Sequence, residues 1–271
     1  MISSMAKKLA NAGYPKMAEL ILKAGSLIVG NEIKIKFQSG NFWTHYKNGW
    51  GINEASPNVR FDPDQQISFI RDVYFFSYQP SGNDVFVDVG AGIGMETIFL
   101  ARQTSFTGKI YAIEASPHTF EILKANIDEN HLQNVNIFHL AISDQNGSIL
   151  IDTTQENHIS NSVFSEKGTA VKALTMDSFL AQNQIETVDL LKVNIEGAEQ
   201  LLIKSFENIG KVKHVAISCH DFLYKRNGDL HFKTREVVSN FLKDHHFEIH
   251  SKTTGVDYVD DWIYGTNKMY S

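Results

Sequence analysis

The chain from about residue 85 onward alternates short apolar runs with longer segments in which apolar residues recur at helical spacing. The apolar runs are rich in β-branched residues and occupy 85–89, 110–113, 135–138, 190–193 and 215–218. Continuously apolar strands separated by helices are typical of a parallel sheet covered on both faces. Two further strand-like segments, 247–250 and 261–264, flank a polar loop and indicate a terminal antiparallel pair. The pattern therefore predicts a doubly wound α/β fold with a seven-stranded, mostly parallel, Rossmann-like sheet and an antiparallel C-terminal strand.

The first 80 residues follow a different, mixed pattern. It predicts a helix around 4–27, strands at 33–37 and 42–46, and a second helix that begins near Asp64. The turn-forming cluster at 80–83 marks a boundary between an N-terminal accessory region, 1–80, and a main domain, 81–271. Within the main domain, 147–154 and 170–174 resemble an inserted hairpin or extra strands.

Composition narrows the functional classes. The chain of 271 residues has a net charge of −6, which argues against a nucleic-acid partner, and its single cysteine, Cys219, excludes an intramolecular disulfide. Because of this cysteine usage we expect a reducing, cytoplasmic location. No apolar run approaches the ~20 residues of a spanning helix. Segment 16–24 combines lysines with an apolar face; packing on the main domain or on a second subunit of a homodimer is favoured over a membrane-surface helix.

A glycine-rich turn follows the first strand of the main domain. Its glycines are Gly90, Gly92 and Gly94, and Asp88 lies at the end of the strand. A dinucleotide fingerprint has glycines at positions one, three and six, but here Met95 occupies the sixth position. A carboxylate beside the ligand would repel a pyrophosphate and suit an ammonium and a sulfonium. Both features favour S-adenosylmethionine, with an NAD-dependent oxidoreductase as the alternative.

Other cofactor contacts are predicted from strand ends. Glu114 ends the second strand, where an acidic residue can accept hydrogen bonds from both ribose hydroxyls, and Ala115 follows it. Ala141 comes after the third strand, where the chain would pass the adenine ring. Together with Ala91 in the glycine turn, these residues complete the predicted cofactor site.

Three segments resemble the FkbM family of class I methyltransferases. They are VFVDVGAGIGMET at 85–97, YAIEASP at 111–117 and VDLLKVNIEGAE at 188–199. The resemblance implies methylation of an oxygen, commonly a hydroxyl on a sugar, glycolipid or polyketide-type natural product. Asn194 stands where the family usually has Asp, and an amide cannot act as a general base. A non-catalytic protein that binds S-adenosylmethionine is therefore a further alternative.

The acceptor should bind beyond the carboxyl ends of the fourth and fifth strands. The candidate catalytic residues there are Asn194, His220 and Asp221, and Glu196 is the candidate substrate contact. His220 is the predicted general base because an unperturbed imidazole titrates near neutral pH, and Asp221 is expected to orient it. Lys192 lies in an apolar strand and should pair with Glu196 or another carboxylate. No ligand spacing indicates a metal site. The predicted partner is a small-molecule or glycan acceptor.

Overall fold

The computed structural model describes residues 2–38, 40–151 and 168–270. Its N-terminal region contains helices and a small antiparallel sheet. Its elements are α1 (Ile2–Asn11), α2 (Pro15–Ile28), β1 (Lys34–Phe37), β2 (Trp43–Lys47), β3 (Trp50–Glu54) and α3 (Pro63–Phe69), which continues into a π-helical turn (Ile70–Tyr74). The single helix predicted around 4–27 is wrong. The chain breaks where Gly13 takes a φ of +88°, and Pro15 begins the second helix.

Strand β3 was not among the predicted elements. It pairs antiparallel with β2 through a turn in which Asn48 and Gly49 have φ angles of +51° and +77°. Two consecutive positive φ angles match the twist of a two-residue hairpin, and Asn-Gly is the dipeptide that favours this turn. The Asn-Gly pair is therefore the sequence signal that locates the third strand.

A central sheet with flanking helices forms the rest of the molecule. Its strands and those of a small inserted sheet are β4 (Val85–Val89), β5 (Lys109–Glu114), β6 (Val135–His139), β7 (Ala141–Ile142), β8 (Gly147–Ile151), β9 (Thr169–Leu174), β10 (Val188–Val193), β11 (Val212–Ser218), β12 (Phe247–His250) and β13 (Trp262–Asn267). The helices are α4 (Met95–Ala101), α5 (Pro117–Glu129), α6 (Met176–Gln182), α7 (Glu199–Lys204), α8 (Asp221–Asn227), α9 (Arg235–Asp244) and α10 (Asp257–Asp260), with short 3₁₀ turns at Glu207–Lys211, Leu230–Phe232 and Lys268–Tyr270.

The seven-stranded sheet has the order β12-β13-β11-β10-β4-β5-β6. Strand β13 runs antiparallel to both of its neighbours, whereas the strands from β11 to β6 pair in parallel. Every residue of β10, at the centre, is buried, as expected for a strand covered on both faces. The predicted fold class is confirmed.

The inserted strands form a separate small sheet. Strand β9 pairs antiparallel with β8 and parallel with β7. The predicted hairpin is thus present between 147 and 174, while residues 152–154 of its first predicted strand lie outside the described residues. Among the described residues, no helix has both the length and the apolar character needed to cross a membrane.

The N-terminal region shares a hydrophobic core with the main domain. Side chains such as Leu22 and Trp43 belong to the same buried cluster as Ile122 and Leu123 of α5. Asn126 reinforces the junction, because its carboxamide accepts a hydrogen bond from the backbone of Asn53 and donates to the carbonyls of Asn53 and Ile93. The division at residues 80 and 81 stays a prediction, but the two parts pack as one body of buried side chains.

Candidate active site

A glycine turn connects β4 to α4 at the carboxyl end of the sheet. Gly90, Gly92 and Gly94 all have positive φ angles, 75°, 57° and 84°. A Cβ on Gly90 would collide with the carbonyl oxygen of Asn194, so this position requires glycine. A Cβ on Gly94 would lie 2.5 Å from the side chain of Leu123. Gly94 therefore serves the packing of α4 on α5, whereas Gly90 and Gly92 face the adjoining cavity.

Glu114 holds the glycine turn from the end of β5. Its Oε2 accepts a hydrogen bond from the backbone N–H of Gly92 at 2.9 Å, and its Oε1 accepts one from Ser116 at 2.7 Å. Burial raises the pKa of this carboxyl to about 7. Each oxygen retains a lone pair for another donor. The side chain is therefore a partly buried pair of acceptor oxygens on the cavity wall.

A buried ion-pair cluster lies beneath the turn. The Nζ of Lys192 is 2.9 Å from Asp88, 3.2 Å from Glu96 and 2.9 Å from the carbonyl oxygen of Gly90, which accepts its hydrogen bond. Burial alone would lower the pKa of Lys192, but the two carboxylates outweigh it and hold the pKa above its usual value. For the acid Glu96, by contrast, burial raises the pKa. Lys192 thus supports the turn from below.

Asp88 occupies a different position from the one predicted. It is fully buried, paired with Lys192, and accepts a hydrogen bond from the Thr97 hydroxyl at 3.0 Å. The structure corrects the prediction that this carboxylate lies on the ligand path, because the lysine neutralises it below the turn. The charge argument against a pyrophosphate consequently loses its basis, and the glycine spacing remains.

A cavity of about 330 Å³ lies at the carboxyl ends of β4, β5 and β10. The main domain contributes the glycine turn and the segments 114–116, 140–142 and 194–196 to its wall. The N-terminal region contributes Glu54, Phe61, Gln66, Phe69, Ile70 and Tyr74. Eight of the predicted site residues therefore meet in one space: Gly90, Ala91, Gly92, Glu114, Ala115, Ala141, Asn194 and Glu196.

The segment after β10 forms a tight turn that Glu199 stabilises. Glu196 and Gly197 have φ angles of +52° and +93°, and the Oε1 of Glu199 accepts hydrogen bonds from the backbone of Ile195 and Gly197. Glu199 also lies 2.9 Å from the Nδ1 of His220. The Glu-Gly-x-Glu pattern therefore has a local physical role, because the second glutamate caps the turn that presents the first one to the cavity.

His220 is buried outside the cavity wall. Burial would lower its pKa, but Glu199 and Glu196 raise the pKa to about 10, so the ring is protonated at neutral pH. Asp221 does not orient it, because the Asp221 carboxylate accepts hydrogen bonds from the backbone of Thr234 and Arg235. The structure thus corrects the prediction of a His220–Asp221 base. The imidazolium cross-links the ends of β10 and β11.

Replacing His220 by Gln should change how stability depends on pH. A base whose pKa is raised from 6.5 to about 10 on folding stabilises the protein fully below pH 6.5 and loses that contribution as pH rises toward 10. We expect the variant to be less stable at low pH by about 2 kcal/mol or more and to match the wild type near pH 10. Urea unfolding across this range measures the difference; a constant gap at every pH would contradict the ion pair.

Glu54, which the sequence did not indicate, is an acidic residue on the N-terminal side of the cavity. Its carboxylate lies 3.6 Å from the Nε2 of His45, which accepts a hydrogen bond from the N–H of Asn58 at 2.8 Å. Burial lowers the pKa of His45 to about 4, so the ring is neutral and supplies no charge. Burial also raises the pKa of Glu54 to about 7. The cavity therefore contains a second carboxyl group, besides Glu114, that titrates near neutral pH.

The described residues contain no group of three or more His, Cys, Asp or Glu side chains placed to hold a metal ion. The polar side chains that line the cavity are the carboxyl groups of Glu54, Glu96, Glu114 and Glu196, the amides of Gln66 and Asn194, and the hydroxyls of Tyr74 and Ser116.

The antiparallel strand β13 lies between β12 and β11, and the glycine turn follows β4, the first strand of the main domain. These two features define a class I methyltransferase fold. Residues 88–249 match the methyltransferase FkbM domain, and the chain belongs to this family. A probable cobalt-precorrin-6B C(15)-methyltransferase (decarboxylating) of Sulfolobus acidocaldarius is 26% identical over 113 residues. That match covers 39% of this chain and 59% of the relative, less than two thirds of its length.

Two solved structures are similar at low sequence identity. A methyltransferase FkbM from Methylobacillus flagellatus KT is 18% identical with a TM-score of 0.49, and the match covers 76% of this chain and 51% of that one. An O-methyltransferase from Bacillus cereus in complex with SAH is 15% identical with a TM-score of 0.49, covering 78% of this chain and 84% of that one.

Proposed function

We propose that this methyltransferase transfers the methyl group of S-adenosylmethionine to a hydroxyl oxygen of a small-molecule or glycan acceptor, such as a sugar, a glycolipid or a natural product. One observation carries the proposal: a single cavity joins the glycine turn and Glu114 on one side to a neutral-titrating carboxyl, Glu54, and aromatic side chains on the other. The first side suits a nucleoside with a ribose diol, and the second suits an acceptor that must lose a proton.

The residues on the cofactor side fit S-adenosylmethionine. The two oxygens of Glu114, fixed by backbone donors, can each accept a ribose hydroxyl. Small and apolar residues, Ala115, Leu140 and Ala141, line the neighbouring wall where a flat purine would lie. Gly92 has open space where a Cβ would stand, so a ligand can approach its backbone closely.

On the acceptor side, we assign the proton transfer to Glu54. When bound, S-adenosylmethionine supplies a methyl carbon activated by the adjacent sulfonium. The carboxylate of Glu54 takes the hydroxyl proton as the acceptor oxygen attacks, and a pKa near 7 suits a general base at neutral pH. Tyr74 stays protonated because burial raises its pKa. Phe61 and Phe69 contribute apolar wall that excludes water from this part of the cavity.

Calorimetric titration with S-adenosylhomocysteine, with NAD as the control ligand, tests the cofactor. A radiolabelled methyl-transfer assay over hydroxylated sugars, glycolipids and polyketide-type acceptors then tests the reaction. Saturable binding of the first ligand alone and an O-methyl product are expected. Binding without transfer to any acceptor would favour the non-catalytic alternative raised by Asn194, and methylation at carbon or nitrogen would contradict the hydroxyl assignment.

Replacing Glu54 by Gln should lower kcat by about 10²- to 10⁴-fold, since that is the usual contribution of a general base. The affinity for S-adenosylhomocysteine should stay unchanged. With S-adenosylmethionine saturating, so that Glu114 does not contribute, the limb near pH 7 of the kcat/KM profile for the acceptor should disappear. Glu196→Gln is the matched comparison, because Glu196 lines the same cavity from the segment that follows β10. If the Glu54 variant lost affinity for S-adenosylhomocysteine, this carboxylate would instead be assigned to binding the cofactor's ammonium group.

A further inference from the structure

Helix α2 exposes a continuous apolar face that no other part of the described structure covers. Met17, Leu20, Leu27 and Ile28 are 55%, 67%, 60% and 79% exposed, and Ala24 between them is also exposed. Met17, Leu20, Ala24 and Leu27 follow one another at spacings of three, four and three residues, and Ile28 lies four residues after Ala24, so all five lie on one side of the helix. The opposite side is buried in the N-terminal core through Ala18, Leu22, Gly25 and Ser26.

This face has no role in the site described above. None of its residues lines the cavity. An amphipathic helix of a water-soluble domain normally turns its apolar stripe inward and a polar stripe outward. Helix α2 already packs through small and aliphatic residues on its inner side, so its outer stripe is a second apolar surface, of the kind that marks an interaction site.

The charge around the face is positive. Residues 1–50 contain seven lysines and two acidic residues in a chain of net charge −6, and two of these lysines lie on α2. Lys16 and Lys23 are exposed and lie one turn before Leu20 and Leu27. The one acidic residue of the helix, Glu19, turns the other way and accepts a hydrogen bond from the backbone of Phe37 at 3.0 Å.

We propose that α2 docks in the plane of an anionic lipid bilayer, with its apolar face among the acyl chains near the surface and its lysines at the headgroups. Lysines at the edge of an apolar helical face match the arrangement of interfacial helices, for which apolar burial and attraction to anionic lipid add together. A second copy of the chain fits less well, because a twofold contact through α2 would bring the Lys16 and Lys23 side chains of two copies together. The docking surface does not depend on the chemistry assigned to the cavity.

Sedimentation of the full chain with lipid vesicles tests the surface. We expect binding to vesicles of equal parts phosphatidylcholine and phosphatidylserine, little binding to phosphatidylcholine alone, and weakening as salt is raised. The double variant Leu20→Ser/Ile28→Ser should lower partitioning by at least about tenfold. Lys16→Gln/Lys23→Gln should lower it on anionic vesicles only.

Leu230→Ser is the matched control, because Leu230 is 71% exposed on a different element, the 3₁₀ turn Leu230–Phe232, and its replacement should leave partitioning unchanged. All these positions are exposed, so unfolding midpoints and S-adenosylhomocysteine binding should match the wild type; this readout separates a failure of docking from a failure of the proposed function. Wild-type partitioning by the Leu20/Ile28 variant would overturn the proposal. The proposal would also be overturned if the wild type bound neither kind of vesicle and light scattering showed that it is a dimer which the Leu20/Ile28 substitutions dissociate.

Discussion

Replacing Lys192 by Met is expected to lower the free energy of unfolding by about 3–5 kcal/mol, because removal of one partner leaves buried charge uncompensated. Lys192 is 1% exposed and faces Asp88, which is fully buried, and Glu96. The same change removes the donor to the Gly90 carbonyl, so the glycine turn should loosen as well. Urea unfolding at neutral pH measures the loss.

Lys204→Met provides a control of the same chemistry at the surface. Its Nζ lies 2.9 Å from Asp144, the same distance as the Lys192–Asp88 pair, but Lys204 is 70% exposed. Exposed pairs contribute about 0–1 kcal/mol, so this variant should unfold almost as the wild type does. Equal losses in the two variants would show that burial does not govern the first one.

Replacing Glu114 by Gln is expected to weaken S-adenosylhomocysteine binding by about 100-fold, since hydrogen bonds to a charged acceptor contribute about 1.5–3 kcal/mol each. A carboxamide has one acceptor oxygen, so it cannot accept from Gly92 and Ser116 and also receive both ribose hydroxyls. Calorimetry measures the affinity, with the exposed Glu121→Gln on α5 as the matched substitution. Wild-type affinity in the Glu114 variant would place the ribose elsewhere.

The same residue should make cofactor affinity depend on pH. The pKa of Glu114 is about 7 because of burial, and hydroxyl donors favour its ionised form. Binding therefore lowers this pKa, and each unit of pH below about 7 should weaken the wild-type affinity by up to about tenfold. In the Gln variant this dependence should be lost.

Much of the fold could be predicted from local sequence. A strand buried on both faces, such as β10, must be apolar throughout, and a residue at a strand end, such as Glu114, lies at the ligand edge because parallel strands end together. One N-terminal helix is predicted where there are two, because the apolar periodicity continues across Gly13 and Pro15. These two residues break the helical backbone without changing the pattern of apolar residues.

The ionisation of the site could not be predicted, because each charge takes its partner from a distant element. Asp88 is paired by a lysine on β10, and His220 by a glutamate at the start of α7. Adjacent residues in sequence, as His220 and Asp221 are, point to different partners. Glu54 gave no signal because its partial burial arises only when the N-terminal sheet packs against α5, which is a property of tertiary packing.

The carboxamide of Asn126 joins the N-terminal hairpin β2–β3 to the glycine turn, so that these two sides of the cavity form one cooperative unit. It is fully buried, and its bonds reach Asn53 at one side and the carbonyl of Ile93, within the glycine turn, at the other. Neither segment can separate from it without leaving buried polar groups unpaired. Local opening of the N-terminal hairpin is therefore energetically tied to opening of the cofactor turn, and a ligand that immobilises the turn also immobilises the hairpin.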